Sequence, residues 1–407
     1  MRALVSPKFA INSAIFLVPA LLLWTHNLSI LVIALLVVYS IFYHIKTAKK
    51  TSLTKVDFLV VMAFSSYFIA NIPNVIIDSW NFRYVDGPSR ILLCIPIYFL
   101  LKSEIRNFDV RNSLELGLIA GSIGTAAIST YQYFTLGMPR VDGFLFSINF
   151  GYLACSLAFL NLSLINGSIR KHWLFLGFLF CIYSTVLTLT RGAILAAPLL
   201  LILTCVLNWS ALKKKFFLMS VILLSLTSIA SYQISDAIKE RVEFTIQEAK
   251  WVLAGNMSEA HSSGVRIQLW YAASESFKQN PLLGLTYSQR KELNEDLYQQ
   301  GKIDKQTAGM RRGHAHSQYF EMIGSTGLLG IIALVAMLVI PAGLMYQKRK
   351  NIWASTGLVF VVGIAIFGLT EVLLQGNMIS SYYGFFLALF LAASVYPNKT
   401  SEVHNGN

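Results

Sequence analysis

Apolar residues gather into runs of about 15–22 positions, separated by short polar or charged breaks. Twelve such runs can be drawn, at 9–24, 28–44, 57–77, 89–101, 114–135, 147–166, 173–190, 192–208, 216–234, 317–346, 352–372 and 379–396. A helix needs about 20 apolar residues to cross a hydrocarbon core, so the pattern predicts an all-α polytopic membrane protein with about twelve transmembrane helices. The run at 89–101 is short for a span. The first run contains Pro19, lacks a small-residue cleavage site and leads into another run, which reads as a span rather than a cleaved leader.

One interval breaks the pattern. Residues 235–315 are of mixed polarity and too many for an idle connection. Within it Ile238, Val242, Ile246, Ala249 and Leu253 recur at helical spacing, with Glu240, Arg241, Glu243, Gln247, Glu248 and Lys250 on the other side. That predicts an amphipathic helix lying at the membrane surface or against the bundle. A second helix is expected from Val265 to Gln279, stopped by Pro281, and the polar stretch after Gly284 is expected to be mobile. The expected organisation is nine spans in 1–234, a large loop at 235–315, three spans in 316–396 and a polar tail at 397–407.

Composition agrees with this reading. Of 407 residues, 55% are hydrophobic and 13% charged, against about 25% charged in a soluble domain. The net charge of +13 would suit nucleic acid, but its placement points to topology. With a cytoplasmic N-terminus, eighteen lysines and arginines fall on the inside, at 2–8, 46–55, 102–111, 170–171, 213–215, 348–350 and 399. The short outside connections hold four, Arg83, Arg90, Arg140 and Arg191. Basic residues in short loops stay in the cytoplasm, so both termini are expected inside and 235–315 outside. Nucleic acid is not expected as a partner. Cys94, Cys155, Cys181 and Cys205 all fall in predicted spans without zinc-ligand spacing, and read as small packing residues.

Candidate chemistry lies where polar residues break into apolar runs. Arg191 separates two of them, a costly place for a charge unless it is paired or functional. Arg266 stands at the start of the expected second loop helix, where free backbone N–H groups favour anions. His314 and His316 lie where the loop re-enters the membrane, beside Arg311 and Arg312. His-x-His invites a metal reading, but no third ligand is near in sequence, so no metal is expected. A base is the better reading, since an imidazole titrates at about 6.5. Arg90, Arg140, His314 and Glu371 are candidate substrate-binding groups, with Asp86 and Asp142 as partners that would orient the arginines. Gly324, Gly327 and Gly330 read as close helix packing. No G-x4-G-K-[ST] phosphate loop occurs.

Three segments in order carry a resemblance: TRGA at Arg191, SGVRIQLWYAASESFKQNPLLG at Arg266, and HAHSQYFEMIGSTGLLG at His316. Together with PRVDGFLFSINFGYLA at 139–154, they resemble the O-antigen ligase and polymerase superfamily. The resemblance implies a membrane glycosyltransferase of the GT-C type that works without metal, nucleotide or other cofactor. Its donor would be a glycan on undecaprenyl diphosphate. For a ligase the acceptor would be the outer core sugar of lipid A–core, in lipopolysaccharide biosynthesis at the bacterial inner membrane, amid membrane lipids and facing the periplasm. By motif, Arg191 and Arg266 match the family's essential arginines and His316 its histidine, with Ser317 where the family commonly has Asn. His314 is the competing imidazole. The related polymerase and, from another class, a secondary transporter are the alternatives; no pair of interrupted spans suggests the inverted repeats of a transporter.

The charge bias generates a direct test. Reporter fusions after Lys215 should report cytoplasm and fusions after Gly255 the periplasm; the reverse pattern would overturn the orientation.

Overall fold

The computed structural model describes residues 6–47, 53–104, 110–208, 218–219, 221–222, 232–233, 236–310 and 314–395. The expected run at 216–234 lies almost wholly outside the described residues, as do Arg311, Arg312 and the tail. The described residues contain helices and no strand. The first nine helices are α1 Pro7–Leu21, α2 Leu28–Thr47, α3 Lys55–Ile77, α4 Asp86–Leu92, α5 Ile95–Glu104, α6 Val110–Thr130, α7 Ser147–Ser163, α8 Lys171–Leu187 and α9 Arg191–Leu207. The polar interval supplies α10 Asp236–Leu253, α11 His261–Gln279, α12 Tyr287–Gln299 and the short α13 Lys305–Ala308. The chain ends with α14 Gln318–Leu334, continued through a π turn into α15 Ile340–Gln347, then α16 Ile352–Phe367 and α17 Asn377–Val395.

Among the described residues, five helical stretches are long and apolar enough to cross a membrane: Leu28–Thr47, Lys55–Ile77, Val110–Thr135, Gln318–Gln347 and Asn377–Ser394. Shorter apolar helices are α1, α8, α9 and α16. The run at 89–101 is not one helix but two, α4 and α5, separated at Leu93 and Cys94. Pro96 is the physical reason, because it cannot donate to the Leu92 carbonyl and its ring crowds that oxygen.

The core centres on α17, hydrophobic all round and almost wholly buried. Phe360 on α16 packs on its Tyr382, Tyr383 and Phe386 rings at 5.5, 5.9 and 5.6 Å. The Tyr382 hydroxyl, in an apolar setting, is satisfied by Ser156 of α7 at 2.8 Å. At the perimeter the apolar residues face out instead. Leu31, Leu35, Val38 and Phe42 on α2, and Leu195, Leu199, Ile202 and Val206 on α9, are exposed at helical spacing. Such stripes suit lipid, and the protein is a membrane protein. All four cysteines are buried and free, as expected of packing residues.

The polar interval is more ordered than its composition suggests. The stretch after Gly284, expected to be mobile, folds into α12 and α13. Thr286 and Gln289 form a capping box at the start of α12, and Asp304 caps α13 by accepting from the Thr307 N–H at 2.7 Å. Leu293, Leu297, Ile303 and Ala308 then close a small core of their own. The helix at 236–253 forms as expected, but Val242, Ile246 and Leu253 are exposed while Glu248 is buried. The side that faces the protein is a mixed one, with Glu248 buried and Arg241, Phe244, Thr245 and Trp251 half-buried, which leaves Val242, Ile246 and Leu253 free to lie at a membrane surface.

The interval docks on the bundle through a break in α14. Gly327 has φ 57° and ψ −136°, a conformation open only to glycine. The turn at 280–284 fits into this kink. Leu328 donates its N–H to Pro281 at 2.8 Å, and Leu285 donates to the Gly324 carbonyl at 2.9 Å. Gly324 itself lies against Ala273 of α11, so the glycine series does serve close packing. Gly327→Ala should destabilise the fold by about 1–3 kcal/mol from backbone strain, before the clash of its methyl with the Pro281 carbonyl oxygen, 2.5 Å away, is counted. Thermal unfolding in detergent, compared with Gly343→Ala, which meets open space, checks this.

Candidate active site

At the start of α9 the chain turns sharply through Leu189 (φ 52°), which makes Arg191 the first helical residue. A cation there opposes the positive end of the helix dipole, and Glu248 of α10 offsets it. The Glu248 carboxylate is 1% exposed and accepts from the Arg191 guanidinium. It also accepts from the N–H and hydroxyl of Ser263, each at 3.2 Å, in the first turn of α11. The Ser262 hydroxyl accepts a further bond from Arg191. Burial opposes the charge of Glu248, but Arg191 and the Ser263 donors outweigh it and hold its carboxyl below the usual range.

Further arginines converge here. Arg140 donates from Nε to the Thr188 carbonyl at 3.0 Å. Burial, then the charge of Arg191, depresses its pKa. Arg241 is depressed by burial and by Arg191 and Arg140, with Glu248 opposing and Arg266 adding to the repulsion. The Nε groups of Arg241 and Arg266 are buried without a hydrogen-bond partner. Arg241 thus lies within electrostatic reach of three further guanidinium groups, those of Arg191, Arg140 and Arg266, with Glu248 bonded to Arg191. Such a cluster is a ready anion site.

A second cluster stands beside the first. The peptide group of Ala315 is held at both ends: its N–H donates to Glu321 at 2.9 Å, and its carbonyl accepts from Trp270 Nε1 of α11 at 3.0 Å. Glu321 is pinned in turn by Arg290 of α12 at 2.7 Å. This clamp keeps His316 at φ 46°, an uncommon conformation for a side-chain-bearing residue. His316 Nδ1 then lies 3.2 Å from Glu371 Oε2, and His314 Nε2 lies 3.7 Å from Oε1. The two imidazoles meet edge to face, with centroids 4.6 Å apart. Burial lowers the pKa of His314 despite the raising influence of Glu321 and Glu371, which favours a neutral ring. Burial works against the charge of Glu371 too, but the hydrogen bond from His316 and the electrostatic influence of the two rings outweigh it and hold its carboxyl below the usual value.

A carboxylate can only accept, so in the neutral form of the His316 ring Nδ1 carries the proton and Nε2 keeps its lone pair. His314 is too far from Glu371 for a comparable bond. A cavity of about 650 Å³ opens beside this group, lined by His314, Glu371, Arg83, Asp86, Asn149 and the stacked pair Tyr84 and Tyr287. The two clusters touch through their neighbours. Gly192 is so close to the Tyr152 hydroxyl and Thr370 Oγ1 that an added Cβ would lie 2.0 and 2.4 Å from them.

The structure therefore brings Arg191, Arg266 and Arg140 together, and His314, His316 and Glu371 together. Arg90 is paired with Asp86 at 3.4 Å, as expected, and Asp86 lines the cavity, while Asp142 accepts from Gln132 rather than from an arginine. Arg266 is not at a helix start as expected, because α11 begins at His261, a full turn earlier. Sequence reasoning missed Arg241 and Glu248 as site residues, since both looked like the solvated side of an amphipathic helix. It also found no third ligand for His-x-His, whereas the fold supplies Glu371, and the donor atoms of the three residues lie within 4.8 Å of one another.

Residues 176–335, which hold Arg191, Arg266 and both histidines, match the family model described as O-Antigen ligase. Over those residues the chain is similar to the O-antigen ligase family. It is also similar to an uncharacterized protein of Haemophilus influenzae, 25% identical over 334 residues, covering 79% of this chain and 81% of that relative.

Proposed function

We propose that this protein is an O-antigen ligase. It transfers a glycan from undecaprenyl diphosphate to the outer core sugar of lipid A–core, on the periplasmic side of the bacterial inner membrane, by a metal-independent inverting displacement. The observation that carries this reading is the juxtaposition of a clustered set of guanidinium groups with an imidazole held by a carboxylate. Arg191 and Arg266 take the donor diphosphate, helped by Arg140, and stabilise the negative charge that grows on it as the sugar C1–oxygen bond breaks. The acceptor hydroxyl attacks C1 from the opposite face. Its proton passes to Nε2 of His316, help worth about 10²–10⁴-fold, while Glu371 keeps the ring in the required tautomer. His314 lines the cavity and contacts substrate there. Glu248 holds Arg191 in place until the diphosphate arrives. Asymmetry of charge supports the periplasmic assignment, through the eighteen-to-four distribution of basic residues.

The polymerase reading shares this donor and this chemistry, and the family match covers both. Lipopolysaccharide banding of a deletion strain separates them. Loss of every long-chain band with accumulation of lipid-linked polymer marks a ligase, and core capped with one repeat marks a polymerase.

Arg191→Ala and Arg266→Ala should each lower transfer by about a hundredfold or more without changing protein level or membrane insertion. Lysine at either position should restore only part of it, because a point charge cannot reproduce the guanidinium fork. Near-normal transfer in the alanine variants would reduce both residues to anchors.

The histidines should rank. His316→Ala is expected to lose about 10²–10⁴-fold in transfer while still binding donor, and His314→Ala to lose much less. The opposite ranking, measured with purified protein and lipid-linked donor, would move the base to His314.

A further inference from the structure

The His314–His316–Glu371 cluster has a property that the transfer reaction does not use. Its two imidazole nitrogens and one carboxylate lie within 4.8 Å of one another. Tetrahedral zinc sites with bonds of about 2.0–2.1 Å place neighbouring donors about 3.3 Å apart. Glu371 Oε2 and His316 Nδ1 already stand at 3.2 Å, and Glu371 Oε1 and His314 Nε2 at 3.7 Å. Two imidazoles and one carboxylate suit zinc-class divalent ions rather than magnesium or calcium, which prefer all-oxygen sets.

Charge and access also suit a cation. The carboxylates of Glu371 and Glu321 act on His314, opposed by His316 and by Arg290; since Arg290 already pairs with Glu321 at 2.7 Å, Glu371 is the carboxylate left to an ion. His314 and Glu371 both line the cavity, so an ion can reach them and a fourth ligand can be water. The carrying elements are rigidly placed, the histidines by the clamped Ala315 peptide and Glu371 by the adjacent Val372 N–H at 3.0 Å.

We propose that His314, His316 and Glu371 form an inhibitory site for a zinc-class divalent cation. The ion would bind Nδ1 of His316, displacing the proton to Nε2. The ring would then have no lone pair with which to accept a proton from an acceptor hydroxyl, and Glu371 could no longer orient it. Binding is independent of the proposed ligase reaction; inhibition rests on it.

Two measurements on the full-length protein in detergent test the two halves separately. Zinc chloride titrated against a chelating dye should show one site per chain, and cobalt chloride should give the visible absorption of a tetrahedral ion. Glu371→Gln and His314→Ala should each weaken zinc binding at least tenfold. His314 is 31% exposed, so its alanine variant keeps the test usable even where Glu371→Gln disturbs packing. Transfer should run fully in excess chelator, fall at least tenfold with stoichiometric zinc and return on chelation. Absent stoichiometric binding, or binding unchanged in both variants, overturns the site. Zinc held at the site with undiminished transfer overturns the inhibition and removes His316 as base. Transfer that requires zinc overturns both the inhibition and the metal-free reaction, while leaving the site itself in place.

Discussion

Backbone polar groups surrounded by apolar structure must find partners, and in α14 that constraint organises the whole protein. The kink at Gly327 takes the Leu328 N–H and the Gly324 carbonyl out of the helical ladder. The 280–284 turn supplies what they need through Pro281 and Leu285, while Ser276 donates to Gly324 at 2.5 Å and Asn74 of α3 donates to the Ser325 carbonyl. These bonds tie the polar interval to the membrane bundle. They also seat α11 over the loop before α14, so that Trp270 reaches Ala315, with Arg266 one turn earlier on the same helix.

Electrostatic strain is distributed in a way that makes sense for an anion-handling site. Arg290 and Glu321 are 3% and 1% exposed, and both are fully used by the clamp on the histidine loop. Removing one partner of such a buried pair costs about 3–5 kcal/mol, so this pair serves shape. The arginine cluster is the opposite case. Glu248 is bonded to Arg191, while buried Nε groups on Arg241 and Arg266 lack a hydrogen-bond partner. A diphosphate would satisfy what the protein leaves open. The adjacent cavity, with its stacked tyrosines, has the apolar faces and scattered polar groups that sugar rings need.

The same carboxylate explains why one loop can serve two chemistries. Glu371 holds His316 by its Nδ1 proton and leaves Nε2 free, the arrangement a general base requires. With His314 close by, it also completes a set of donors that a transition metal would choose. Under the two proposals, which chemistry operates would depend on whether a proton or a metal occupies Nδ1.

Residue type and spacing by themselves determined the helical membrane class and the packing role of the cysteines, and singled out Arg191, Arg266 and the histidine pair as candidates, because hydrophobic periodicity and misplaced charge are local signals. Even the capping box at Thr286 was there to be seen, though polarity hid it behind an expectation of mobility. Only the tertiary structure decided that Glu248 turns inward while Val242 and Ile246 turn out. A period of 3.6 marks two faces of a helix without saying which one meets the protein when the other can meet lipid. Likewise Glu371 lies 55 residues from His316 in sequence. Its place between the imidazoles follows from the docking of α16 against the loop before α14, where Gln318 donates to the Gly368 carbonyl at 2.8 Å. Long-range pairing of that kind depends on packing between helices, which no local pattern encodes.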